Sequence, residues 1–141
     1  MLIAVDHGNH AIKTIHYNFI SGLARHSVRP PMADEVLEYK GEYWTLSGQR
    51  LPYRRDKTRD ESFFILTLFA ISKELSYAGP LPAAEKIELA VGLPPEHYGI
   101  LKDKFRAYFK RSESVQFSYN DKPMTILIRD VFVLSLIHIS E

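Results

Sequence analysis

Residues 1–17 read MLIAVDHGNHAIKTIHY. A short apolar run, Leu2 to Val5, ends in a carboxylate at Asp6. Gly8 follows two positions later, and a lone cation, Lys13, stands inside the next apolar stretch. The run reads as a central strand buried on both faces. His7-Gly8-Asn9-His10 is turn chemistry. Ala11 to Phe19, with its β-branched and aromatic residues, reads as one returning strand antiparallel to the first. An aspartate at the carboxyl end of a central strand faces the crevice where open α/β sheets bind ligands. Gly8 lets the backbone approach closely, the amides of a tight turn cradle an anion, and Lys13 brings a point charge to a phosphate. The carboxylate repels a phosphate directly but serves well through a hydrated magnesium ion. The same letters also suit an ordinary hairpin with a solvent-facing lysine. On the motif alone both readings stand.

Outward from this motif, Ser21 to Asp34 reads as an irregular loop carrying Arg25, Arg29 and Pro30-Pro31. Val36 to Tyr39 and Tyr43 to Leu46 flank Lys40-Gly41-Glu42, a hairpin signal. Ser47 to Arg59 is a second loop, and its Arg50 to Arg59 portion (RLPYRRDKTR) is basic; Asp56 and Asp60 dilute the charge, so a solvated loop is expected. Then the period changes. Phe64, Leu68, Ile71 and Leu75 fall at helical spacing, and Phe63 and Ile65 widen the stripe, which predicts a helix buried in the core. Thr58 to Glu61 matches a capping box before it, and Gly79-Pro80 ends it.

Ile87 to Leu93 reads as a further core strand, and Pro94-Pro95 suit the start of a second helix. In that helix Tyr98, Leu101, Phe105 and Tyr108 share one face, and Lys102, Lys104, Arg106 and Lys110 cover much of the rest. Val115 to Tyr119 and Thr125 to Ile128 flank Asn120-Asp121-Lys122-Pro123 as a second hairpin, and Val131 opens another apolar run. This order predicts a mixed α/β sheet with helices on its faces.

The bulk numbers agree with one globular domain. The chain has 141 residues, 45% of them hydrophobic and 25% charged, enough to bury a real core. A net charge of +1 gives no electrostatic case for nucleic acid or a membrane surface. With no cysteine, disulfides and thiolate metal sites are excluded. No stretch is apolar for long enough to span a bilayer, and no signal-peptide pattern opens the chain, so a cytoplasmic location is expected. His7, His10 and His16 show no spacing that fixes a metal. No serine-histidine-aspartate set can be argued from spacing.

VDHGNHAIK resembles the first phosphate loop of the actin-like ATPases, whose pattern is an aspartate, a glycine two positions on and a lysine in the next strand. More closely, the chain is similar to the ParM/StbA type of plasmid-segregation actins. DKTRDESFFILTLFAIS at 56–72, IELAVGLPPEHY at 87–98, and LKDKFRAYFKR with the hairpin ending in IRDVFV at Val133 carry that likeness. The resemblance implies a ribonuclease-H-like fold, ATP or GTP with magnesium, self-association into filaments, and a DNA-bound adaptor protein as partner. It implies no direct contact with nucleic acid and none with a membrane.

By the same resemblance Asp6 sits in the magnesium shell through water. Gly8, Asn9 and His10 line the phosphates, and Lys13 contacts them. His10 stands where the family often has a small or hydroxyl residue. The second aspartate-glycine loop, the residue that positions attacking water and the adenine pocket have no match here. The resemblance therefore implies an incomplete ribonuclease-H-like domain, with no catalytic residue of its own and little hydrolysis. LSLIHISE at 134–141 resembles translated sequencing-adaptor read-through, so the expected division is a domain at 1–133 and a foreign tail at 134–141; a genuine final strand is the alternative. Two other readings are a non-catalytic interaction module, and another member of the superfamily such as a sugar kinase or chaperone-type ATPase.

Overall fold

The computed structural model describes residues 1–8, 10–52, 57–58, 60–93 and 95–135. Its elements in chain order are β1 (Leu2–His7), β2 (Ala11–Lys13), β3 (Asn18–Ile20), β4 (Leu23–His26), β5 (Leu37–Tyr39), β6 (Glu42–Leu46), α1 (Ser62–Ala78), β7 (Ala84–Leu93), α2 (Pro95–Phe109), β8 (Val115–Tyr119) and β9 (Lys122–Ser135). The strands form one mixed sheet in the order β3-β2-β1-β7-β9-β8-β5-β6-β4. β7 runs parallel to both β1 and β9. The other pairings are antiparallel.

β3 and β4 stand at opposite ends of that order. Yet only Ser21 and Gly22 separate them in the chain, a link that reaches roughly 10 Å. The sheet must therefore curl until its two edges meet, and α1 lies in the curl. Every residue of α1 from Phe63 to Ser72 is buried. No side of the helix meets water there, as its wide apolar stripe predicts. Tyr39 of β5 and Phe109 of α2 both pack their rings against Phe64, and Tyr119 of β8 packs against Phe69.

Both described helices cover the same face. The His7 ring at the end of β1 touches Phe63 of α1 and also Phe105 and Phe109 of α2. β1 is accordingly buried on one face only, which corrects the expectation of a strand buried on both. Ile3 and Val5 point into the core, while Leu2 is 62% exposed and Ala4 is also open. On the same outer face Phe132 and Leu134 of β9 are 43% and 53% exposed.

Several boundaries differ from the sequence reading for local reasons. Ala11 to Phe19 is two short strands. Thr14 to Tyr17 form a turn in which the Tyr17 carbonyl accepts from the Thr14 amide (2.9 Å) and the Thr14 hydroxyl accepts from the Tyr17 amide (3.1 Å). β4 lies inside the stretch read as irregular and pairs with β6. Thr58 to Glu61 does not act as a capping box, because α1 begins at Ser62 with Glu61 at the N-cap and no side-chain cap from it. Asp60 Oδ1 accepts from the Ser62 amide and the Tyr108 hydroxyl accepts from the Phe64 amide, both at 2.9 Å.

The hairpin at Asn120-Asp121 turns on those two residues alone, both at positive φ, so β9 starts at Lys122 and runs on to Ser135. A β-bulge shifts its register against β7 between Ile87 and Glu88. Ile126 and Ile128 face the core before the bulge, Val131 and Val133 after it. The extra residue moved the apolar pattern by one, which made one strand read as two. Of the expected tail, Leu134 and Ser135 continue β9 opposite Gly92 and Leu93. Residues 136–141 lie outside the described residues.

Candidate phosphate site

The β1–β2 hairpin brings the sequence motif together. Asp6 pairs directly across from Lys13, and His7 from Ile12. Directly opposed residues on neighbouring strands present their side chains to the same face. Asp6 and Lys13 therefore share the open face, where they border a depression of about 270 Å³ with Ala4, Ile15, Gly92 and Leu134. Lys13 is exposed and Asp6 half-buried. A larger groove of about 550 Å³ beside Tyr39, Lys40 and Arg111 contains neither residue.

Gly8 sits where the turn closes. Its amide donates to the Ala11 carbonyl at 3.0 Å, and a Cβ at this position would stand 2.9 Å from the same oxygen. The turn is thus tight at the residue chosen for close approach. Asn9 lies outside the described residues. His10 is exposed, and its ring accepts a hydrogen bond from the Arg50 guanidinium, whose nitrogen lies 2.6 Å from Nδ1. Arg50 thus places a charge beside the turn.

Three further residues at this site escaped the sequence reading. Ser21 is 1% exposed. Its hydroxyl donates to the Gly8 carbonyl and its amide to the His10 carbonyl, both at 3.0 Å. Arg50 was assigned to a solvated loop, yet it reaches the phosphate turn. Arg54, Arg55, Asp56 and Arg59 of that loop lie outside the described residues. Lys57 is 3% exposed, with its ammonium 5.7 Å from the centre of the Phe63 ring. Burial lowers its pKa, and the Asp6 carboxylate opposes that shift. The family resemblance implies that the end of this basic loop lies near the nucleotide cleft, but nothing in the sequence singles out Lys57 or its burial.

The three histidines of the N-terminal segment take separate places. His7 Nε2 meets the Thr67 hydroxyl at 2.7 Å. That hydroxyl already donates to the Phe63 carbonyl, so it accepts from His7, whose proton is on Nε2. Burial, with the Lys57 charge adding to it, pushes the His7 pKa down to about 3, so the ring is a neutral core group. His16 binds Glu74 at 2.8 Å and stacks on Tyr77. Among the described residues no three His, Asp or Glu side chains are grouped to hold a metal. Asp6 is the one described carboxylate lining the depression with Lys13; a single carboxylate would suit a magnesium ion held through its water shell rather than one caged by protein.

Residues 4–135 match the family described as the N-terminal domain of actin-like proteins. The chain belongs to that family. The fold is shared with solved relatives. A crystal structure of apo psk41 ParM aligns with 95% of this chain and 49% of its own, at 17% identity and a TM-score of 0.75. An AlfA filament bound to AMPPNP aligns over 96% of this chain and 54% of its own, at 18% identity and 0.67. Ta0583, an archaeal actin homolog in complex with ADP, aligns over 95% and 43%, at 12% identity and 0.68. The chain thus spans about half the length of the solved relatives it matches. No curated protein sequence matches it significantly. No described helix is long and apolar enough to cross a membrane.

Proposed function

We propose that this actin-like domain forms one wall of a magnesium-nucleotide cleft in a filament-forming ATPase that segregates plasmid or other DNA. The observation that carries the reading is the pairing of Asp6 with Lys13 across the tight Gly8 turn. It sets an acid and a flexible cation on one face, beside the turn. In this reading Lys13 contacts the phosphates, and Gly8, Asn9 and His10 line them with backbone. Asp6 orients the water shell of magnesium. The ion supplies charge neutralisation of ATP or GTP phosphates, and catalysis of this kind is mostly positioning and charge. Relatives of the same fold bound to AMPPNP and ADP support the ligand class, and the AlfA filament supports self-association. The DNA-bound adaptor and the cytoplasmic location follow from the family likeness.

One wall of a cleft binds weakly and hydrolyses little. The test is a titration of the purified chain with a fluorescent ATP analogue, with and without magnesium. Weak, magnesium-dependent binding is expected, and Lys13→Ala weakens it about tenfold, the worth of one charge-assisted contact. Binding that ignores Lys13→Ala and magnesium overturns the reading. Robust turnover abolished by Asp6→Ala would overturn the expectation of a half-site.

A further inference from the structure

A turn binds an anion only if its carbonyls face away from the ligand, because each amide points opposite to the carbonyl of its own peptide plane. Something must therefore hold those carbonyls on the protein side. In this chain one residue does so at both ends of the turn. The Ser21 hydroxyl donates to the Gly8 carbonyl at 3.0 Å, and the Ser21 amide donates to the His10 carbonyl at 3.0 Å. The Ser21 carbonyl in turn accepts from the Leu51 amide at 2.7 Å, and the next carbonyl, of Gly22, accepts from the Ser47 amide at 2.9 Å. Arg50 lies between these two anchors in sequence, and its guanidinium is on His10. The point where the two edges of the curled sheet meet is thus also the point where the phosphate turn is fastened.

We propose that Ser21 is the positioning residue of the phosphate turn: it holds the Gly8 and His10 carbonyls on the protein side, and with Gly22 it fastens the 47–51 loop, which carries Arg50, against the turn. The proposal rests on the nucleotide reading of this site. Ser21 itself is buried and does not touch the ligand; it acts through the geometry of Gly8 and His10. Removing its hydroxyl frees the Gly8 carbonyl to rotate toward the phosphates, where an oxygen lone pair repels what an amide would bind.

The experiment compares wild type, Ser21→Ala and Ser21→Cys for binding of the magnesium salt of ADP, alongside thermal melts and amide hydrogen exchange. Ser21→Ala should weaken ADP binding about tenfold, speed exchange in the 8–11 turn, and leave exchange in β7 and α1 unchanged. Ser21→Cys keeps the volume with a weaker donor and should fall between the two. A purely structural role would lower the melting temperature without this local exchange change and without an affinity loss in the folded variant. If Ser21→Ala does not fold, Ser21→Cys decides by the same criteria. ADP binding equal to wild type in a folded variant overturns the Ser21 proposal alone. A wild-type chain that binds no nucleotide overturns the nucleotide reading, and the Ser21 proposal with it.

Discussion

Gly22 shows how little room a single residue has at the closure of the sheet. A Cβ there would lie 2.4 Å from the Gln49 carbonyl oxygen and 2.6 Å from that of Ser47. Both are backbone atoms, so the loop must move. Gly22→Ala is expected to cost about 1–3 kcal/mol or more, read as a fall in the denaturant midpoint with unchanged slope; an unshifted midpoint would show the loop to be compliant. His7 makes a second residue-scale prediction. Its pKa falls from the ordinary 6.5 to about 3. Below pH 6.5 the unfolded chain takes up a proton that the folded chain refuses, so stability is fully present above that pH and is lost as pH falls toward 3. The slope attributable to His7 approaches about 1.4 kcal/mol per pH unit. Urea melts at pH 7, 6 and 5 should show it in wild type and not in His7→Gln. Equal slopes would mean that the ring finds water.

At the scale of the element, α1 illustrates a split between what is local and what is not. Its apolar period is written in the residues themselves, so its span was legible. Its N-terminus was not, because the group that accepts from the Phe64 amide comes from Tyr108, on the far end of α2. Burial and the nearby Glu61 and Asp60 carboxylates raise the Tyr108 pKa, despite the opposing Phe64 amide and Arg111, so the hydroxyl stays neutral and keeps this role in alkaline solution. Tyr108→Phe is expected to cost about 1 kcal/mol, the worth of a helix cap, in equilibrium unfolding; no loss would assign the cap to water or to Asp60. The β2–β3 turn is tied to α1 from the other side. Glu74 accepts from the Thr14 hydroxyl and from the His16 amide, and it contacts the His16 ring. Burial alone would raise its pKa, but those hydrogen bonds outweigh burial and lower it. β4 escaped the sequence because a short strand carrying Arg25 and His26 has no alternating apolar signal.

The whole molecule has two unequal faces. One holds both described helices and the aromatic core; the other leaves Leu2, Phe132 and Leu134 open. Substitutions should register that asymmetry. Phe105→Ala, at a fully buried ring, is expected to cost about 3–5 kcal/mol. Phe132→Ser, on the open face of the same sheet, should cost less than about 1 kcal/mol. Parallel denaturant melts of the two variants check this, and comparable losses would show that the outer face is covered in solution. The proposed phosphate site belongs to this scale too, since Asp6 and Lys13 share the open face while Ser21 bonds the turn from the seam where the sheet edges meet.

The sequence by itself determined the mixed α/β class, the buried α1, the existence of both hairpins though not their two-residue turns, and the Asp6-Gly8-Lys13 spacing. Each of these is encoded by residues within a turn or two of one another, as a period, a pair of turn residues or a count. Tertiary structure alone decided that β3 and β4 meet at opposite ends of a curled sheet, and that both helices cover one face. It also decided that a bulge near Arg129 carries β9 through a change of apolar period. Ser21 and Arg50 reach the turn that follows β1, and Lys57 comes near enough to Asp6 to feel its charge, only because distant chain segments fold back onto them. Contacts at such separations depend on sheet order and curvature, which no local pattern of side chains records.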